Sequence, residues 1–200
     1  MTVKLVAALD QGTTSTRCML FDRQGRMVSI AQREHQQYYP HPGWVEHDAA
    51  EIWSIVRRII PQALADAGVG AAEVVALGVT NQRETAVLWN RHTGVPVGRA
   101  IVWQDTRTTD VLADLATRID PARVLARTGL PMANYFSAAK LRWMLDRPRL
   151  HGAFVDTKVN PVTLSDYTKA DGWRGPDVTF GWIQGRALEA IDAAKDAGRS

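Results

Sequence analysis

Two hundred residues with 46% hydrophobic content are enough for one well-formed core and a small appendage. The 24 basic and 21 acidic residues balance to a net charge of +3 with no Lys/Arg run, so nucleic acid is not implied, and no apolar run approaches the ~20 residues that span a bilayer. A lone cysteine, Cys18, excludes an internal disulfide and has no metal-ligand spacing; within an apolar run it reads as a small core residue in a reducing compartment.

The opening M-T-V-K-L-V-A-A-L-D has too short an apolar part for a secretory leader, and a cytoplasmic protein is expected. Leu5 to Leu9 is an apolar run ending on Asp10, a polar turn follows, and a second run, Cys18 to Phe21, ends on Asp22. The spacing predicts two strands joined by a hairpin. Gly12 lets a ligand come close to the backbone, and Thr13, Thr14, Ser15 and Thr16 offer hydroxyl donors that suit phosphate oxygens. Arg17 adds a cation. Asp10 would repel phosphate unless a divalent cation lies between them. Two readings fit this stretch: a Mg-nucleotide site, or an ordinary polar hairpin of the Gly and Ser/Thr type.

Arg23 to Arg26 signals a turn, and Met27 to Ala31 continues an antiparallel meander. Pro40, Pro42 and Gly43 make the next stretch a loop. Asp48, with Glu51 three residues later, predicts a capping-box start to a helix whose apolar face carries Ile52, Ile55, Val56, Ile59 and Ile60. Pro61 is expected to kink or interrupt it, and Gly68 and Gly70 to end it. Val74 to Thr80 reads as a strand buried on both faces, which after a helix implies a mixed sheet with a parallel addition.

At the end of that strand lies N-Q-R-E-T, where α/β proteins bind ligands. Arg83 and Glu84 together supply fork donors and a carboxylate suited to a polyol's hydroxyls; a surface salt bridge is the other reading. Thr85 to Trp89 and Arg99 to Trp103 are expected as further strands around a turn at Asn90 to Gly94. Asp105 or Thr106 is expected to start a helix through Val111 and Leu115, and Pro121 another. Trp103 could present its face to a small molecule's carbons or fill the core. Tyr135 is placed in a loop, either with its phenol on a ligand or as an anchor. A helix from Ser137, as N-cap, to Leu145 has Leu141, Met144 and Leu145 on its inner face.

Taken together, L-D-Q-G-T-T-S-T-R, P-G-W-V-E-H-D, T-N-Q-R-E-T, A-I-V-W-Q-D-T-R-T, T-G-L and Y-F-S-A-A-K-L-R-W-M-L-D closely resemble the glycerol kinases of the FGGY carbohydrate kinase family in both order and spacing. The resemblance covers about residues 1 to 147. It implies an α/β fold of the actin-like, ribonuclease-H-like ATPase type, a mixed sheet flanked by helices. The domain is expected over residues 1–150, with a divergent tail over 151–200 ending in a helix. The resemblance further implies ATP and Mg²⁺ as cofactors and glycerol as substrate. Thr13, Thr14, Ser15 and Arg17 match the nucleotide-phosphate contacts, Asp10 the acid associated with Mg²⁺, Arg83, Glu84 and Tyr135 the glycerol hydrogen-bonding residues, and Trp103 the aromatic against glycerol's carbons.

The family's G-D-Q-Q-A segment, whose Asp is the catalytic base, has no match in these 200 residues. Asp156 and Asp166 stand in only faint echoes of other family motifs. A second reading is therefore an inactive nucleotide- or polyol-binding remnant or fusion fragment, and self-association through an exposed interdomain face is expected of it.

Overall fold

The computed structural model describes residues 4–90 and 93–146. The expected tail helix, Asp156 and Asp166 lie outside the described residues. The chain divides into two units, one comprising residues 4–37 with His47–Arg83 and the other Tyr38–Glu46 with 84–146.

In the first unit, β1 (Leu5–Gln11), β2 (Ser15–Phe21) and β3 (Met27–Glu34) form the expected meander. After the two-residue β4 (Glu46–His47) comes α1 (Ala49–Asp66), and then β5 (Val74–Thr80), which joins β1 in parallel. The strand order is β3-β2-β1-β5. Leu5, Ala7 and Leu9 of β1 and Cys18 and Leu20 of β2 alternate into the core beneath Ile52, Val56, Ile59 and Ile60 of α1. That alternation puts Asp10 on the opposite face of β1 from these apolar residues. Burial pushes the Cys18 thiol up to about 11, as suits an inert core residue.

Three expectations are corrected here. Asp48 does cap α1, accepting from the N–H groups of Ala50 and Glu51, but Glu51 does not complete a capping box; its carboxylate accepts from the Gln36 N–H at 3.1 Å. The helix also runs through Pro61, because loss of a single N–H on an exposed face leaves the buried stripe intact. Finally, β5 is not buried on both faces: Val75 is 56% exposed, since the strand has β1 as its neighbour on one side and ends the described sheet on the other. The helix end at Ala67, with Gly68 at φ 65°, is as expected.

Below the β1–β2 hairpin the first unit is polar inside. His47 is fully buried and shares a 2.6 Å hydrogen bond with Gln37 Oε1, and its ring meets that of His35 edge-on at 4.6 Å. Burial, with the neighbouring His35 charge adding to it, lowers the His47 pKa to about 3; burial also lowers His35, against the pull of Glu51. Each histidine therefore folds neutral. An unfolded chain binds these protons below its ordinary pKa of 6.5, so stability rises with pH through the window below 6.5 and is level above it. His47, with its pKa near 3, contributes a slope approaching about 1.4 kcal/mol per pH unit in this window, and His35 adds to it in the same direction. We expect melting temperature to fall from pH 6.5 to pH 5, and His47→Gln to flatten the fall. An equal fall in the variant would contradict the assignment.

The second unit is built around a pair of irregular strands. The region Thr85 to Trp89 is no regular strand: it is held by bridges, Ala86 to Ile101 and Trp89 to Pro96, and β6 (Ala100–Ile101) is only two residues long. The turn at Asn90 is as expected, with Gly94 donating to the Asn90 carbonyl at 2.7 Å. Ala86, Ile101 and Met144 form a core cluster with Leu88, Leu141 and Trp143 packed on it.

The helices of this unit are α2 (Thr109–Arg118), α3 (Pro121–Thr128) and α4 (Ser137–Leu145). Asp120 caps α3 and Gly129, at φ 72°, ends it. The start of α2 is later than expected because Asp105 and Thr106 are engaged elsewhere, Asp105 with Arg107 and Thr106 with the Gly43 carbonyl. Leu145, expected inside, is 43% exposed; Lys140 takes the inner position instead.

Candidate functional site

The hairpin that carries the expected phosphate contacts is closed by Gly12 donating to the Ser15 carbonyl at 2.9 Å. A Cβ at Gly12 would come within 3.0 Å of that oxygen, so the glycine is required by the turn itself. Thr14 is exposed and Thr13 half-buried at the tip. Their carbonyls are anchored from behind, Thr13 by Gln37 Nε2 at 3.0 Å and Thr14 by the His35 N–H at 3.3 Å. The Ser15 side chain is buried, its hydroxyl accepting from Gln32 Nε2 at 3.1 Å, and Thr16 is fully buried. Burial thus divides the turn, with Ser15 and Thr16 inside and Thr14 exposed.

Asp10 and Arg17 are cross-strand partners on β1 and β2, with Arg17 Nε 3.3 Å from Asp10 Oδ2 and both side chains partly open. A partly exposed carboxylate is a group that can take a hard cation. Among the described residues no group of three or more His, Cys, Asp and Glu side chains could hold a metal ion.

In the second unit, three of the expected residues lie close together. The Ala86–Ile101 bridge runs Trp103 alongside Thr85, whose hydroxyl accepts the Trp103 N–H at 3.3 Å. Trp103 and Tyr135 meet edge to face, their ring centroids 5.7 Å apart. Glu84 directly precedes Thr85 and has φ 65°, a left-handed conformation that disfavours side chains other than Gly, Asn and Asp. It is held there by Ser137, whose N–H and hydroxyl both donate to Glu84 Oε2 at 2.7 Å. Ser137 is therefore the first residue of α4 and not its cap, since Phe136 takes that position.

With Oε2 engaged by Ser137, Glu84 keeps its second oxygen for a hydroxyl donor. The Tyr135 side chain is 39% exposed, presenting a phenol beside the Trp103 ring. A carboxylate oxygen, a phenol and an apolar wall are what a small polyol needs. Arg83, the last residue of the first unit, is exposed and lies three residues beyond the end of β5.

Two residues outside the expected set shape this unit. Arg107 is 2% exposed. Its guanidinium bonds Asp105 at 2.7 Å and Glu46 at 2.9 Å, and lies 3.8 Å above the Trp44 ring. Asp105 Oδ2 in turn accepts the Val45 N–H, so these charges tie Tyr38–Glu46 into the unit. Lys140 is fully buried in α4, where the A-A-K-L-R-W pattern marks it only as a polar residue among apolar ones.

The sequence model of the FGGY family of carbohydrate kinases, N-terminal domain, matches residues 5–162. The chain is 56% identical to a glycerol kinase of Azorhizobium caulinodans over 143 residues, which is 72% of this chain and 29% of that protein. Among solved structures it is similar to a Plasmodium falciparum glycerol kinase with ADP, at TM-score 0.69 and 29% identity over 77% of this chain and 31% of that one. A xylulose kinase from Rhodospirillum rubrum gives TM-score 0.68 and 32% identity over 75% of this chain and 31% of that one. The chain thus spans less than a third of the length of the relatives it matches.

Proposed function

The chain belongs to the FGGY family of carbohydrate kinases, and from that membership we propose that it carries the glycerol-recognising and phosphate-facing part of an ATP-dependent glycerol kinase, which converts glycerol to glycerol 3-phosphate. The observation that carries this reading is Glu84: a charged side chain in a left-handed backbone conformation, with one carboxylate oxygen fixed by both the N–H and the hydroxyl of Ser137, two residues after Tyr135.

Glycerol hydroxyls would be held by Glu84 and Tyr135, and its carbons by the Trp103 face. Phosphoryl transfer asks a protein chiefly to position donor and acceptor and to neutralise charge. The Mg-nucleotide supplies the phosphoryl group when bound. Asp10 is the residue for the cation, and Thr13, Thr14, Ser15 and Arg17 are those for the phosphates, the Ser15 hydroxyl accepting from Gln32 and keeping its own proton to donate. Removing a glycerol hydroxyl proton requires a base, yet the buried Asp105 of the second unit is engaged by Arg107 and Val45. Asp105 is therefore not that base, and we expect the 200-residue chain to bind without turning over by itself.

The surrounding expectations follow from the same reading: a cytoplasmic location, in keeping with the free, buried Cys18, and self-association through an exposed interdomain face. Among the described residues no helix is long and apolar enough to cross a membrane.

The test is a coupled assay with ATP, Mg²⁺ and glycerol alongside a melting titration with ADP. We expect no glycerol-dependent ADP formation and a magnesium-dependent rise in melting temperature with ADP, which Asp10→Ala abolishes. Glycerol-dependent ADP formation would overturn the half-site reading, and an ADP response unchanged in Asp10→Ala would remove Asp10 from the cation.

A further inference from the structure

Lys140 is the largest fully buried side chain among the described residues, and neither the polyol contacts nor the phosphate contacts use it. It occupies the fourth position of α4, in the first turn, where a positive charge meets the positive end of the helix dipole and is disfavoured. Its presence there is therefore no device for stabilising the helix. A helical side chain leans toward the N-terminus, and Lys140 Nζ reaches back past the start of α4 to the loop before it. It donates to the carbonyls of Asn134 at 2.6 Å, Tyr135 at 2.7 Å and Phe136 at 3.3 Å.

Three donors of an ammonium meet three successive carbonyls, and the middle residue of the three is Tyr135. Asn134 has a second anchor, since its side chain accepts from the Thr108 hydroxyl at 2.7 Å and donates to that of Thr109 at 3.1 Å. The loop is thus pinned at its start by α2 and gathered around Tyr135 by Lys140. From this arrangement we propose that Lys140 is a positioning residue for polyol binding, its buried ammonium drawing in the 134–136 carbonyls and so fixing Tyr135 against Trp103 beside Glu84. The proposal rests on the polyol reading of Glu84 and Tyr135 given above.

A consequence follows for pH. A neutral amine has two donors and a lone pair, so loss of the proton leaves one carbonyl unpaired and faced by an acceptor. Burial lowers the Lys140 pKa to about 8, while the charges of Glu84 and Asp105, which face it from the neighbouring segments, support the ammonium. Glycerol binding that needs the ammonium weakens as pH rises through this value, and by linkage bound glycerol raises the lysine's pKa.

The test compares the whole chain with Lys140→Met, which keeps the length of the stem without charge, and Lys140→Arg, which stays charged at every accessible pH. Amide hydrogen exchange over residues 134–137 is read at pH 7 without ligand, and glycerol affinity by calorimetry at pH 7 and pH 9.5. We expect Lys140→Met to speed exchange of the loop about tenfold while the β1–β2 hairpin keeps its rate, and to weaken glycerol binding about tenfold. The unmodified chain loses a similar factor between the two pH values, and Lys140→Arg loses none. Unchanged loop exchange in Lys140→Met, or an affinity of the unmodified chain equal at both pH values, would overturn the proposal. Absence of glycerol binding by the unmodified chain at pH 7 would instead refute the polyol reading, with the exchange measurement still deciding whether Lys140 holds the loop.

Discussion

Replacing Glu84 by alanine is expected to weaken glycerol binding roughly 10- to 150-fold, the equivalent of about 1.5–3 kcal/mol for a hydrogen bond to a charged group. The size of the effect follows from the two separate duties of one carboxylate. Oε2 accepts from both the Ser137 N–H and hydroxyl at 2.7 Å, fixing the start of α4 and with it the loop that bears Tyr135. The other oxygen is left for a ligand hydroxyl. Alanine removes both and leaves the Ser137 N–H without its acceptor, at a position whose φ of 65° alanine also dislikes. Glu84→Gln separates the duties: the shape and one acceptor oxygen stay, the charge goes, and an intermediate loss is expected. Calorimetric titration with glycerol measures both, and an affinity in Glu84→Ala equal to that of the unmodified chain would remove Glu84 from the site.

The second large effect concerns stability. Arg107→Ala is expected to destabilise the second unit by about 3–5 kcal/mol, because it strands a buried charge. Asp105 is fully buried and would keep only the N–H groups of Val45 and Arg107 as partners. The stacking of the guanidinium on Trp44, at 3.8 Å, and its approach to Trp143, at 4.9 Å, would be lost with it. Arg107→Lys recovers little, since one ammonium cannot reproduce the fork that meets Asp105 and Glu46 together. Urea unfolding followed by tryptophan fluorescence reports this directly, as Trp44 and Trp143 sit on the guanidinium. A midpoint within error of the unmodified chain would show that the cluster carries no net stability.

What could be read in the sequence was whatever depends on near neighbours. Apolar runs ending on Asp10 and Asp22 revealed the hairpin and the meander, and the 3.6-residue recurrence from Ile52 to Ile60 revealed α1. Both survive because local pattern and core burial agree. Pro61 misled because its exposed position matters more than its chemistry. The division of the hairpin hydroxyls, with Ser15 and Thr16 inside, depends on Gln32 and the buried strands behind them, and no spacing in D-Q-G-T-T-S-T encodes it.

Residues that act across long separations were hidden. Arg107 in W-Q-D-T-R-T looks like one more surface cation until Trp44 and Glu46, some sixty residues earlier, close around it. Lys140 becomes notable only once the loop folds back on α4. Ser137 resembled a helix cap in sequence because Ser commonly is one, whereas Glu84, 53 positions away, takes its N–H and hydroxyl. The motifs of the family carried the candidate site residues where local chemistry alone left two readings open.

Recognition of a small polyol through Glu84, Tyr135 and Trp103 is measured by titrating the unmodified 200-residue chain with glycerol in a calorimeter at pH 7, with xylulose as the comparison. We expect saturable binding of one glycerol per chain and weaker binding of the larger sugar. No heat with glycerol, or equal affinity for both, would contradict it.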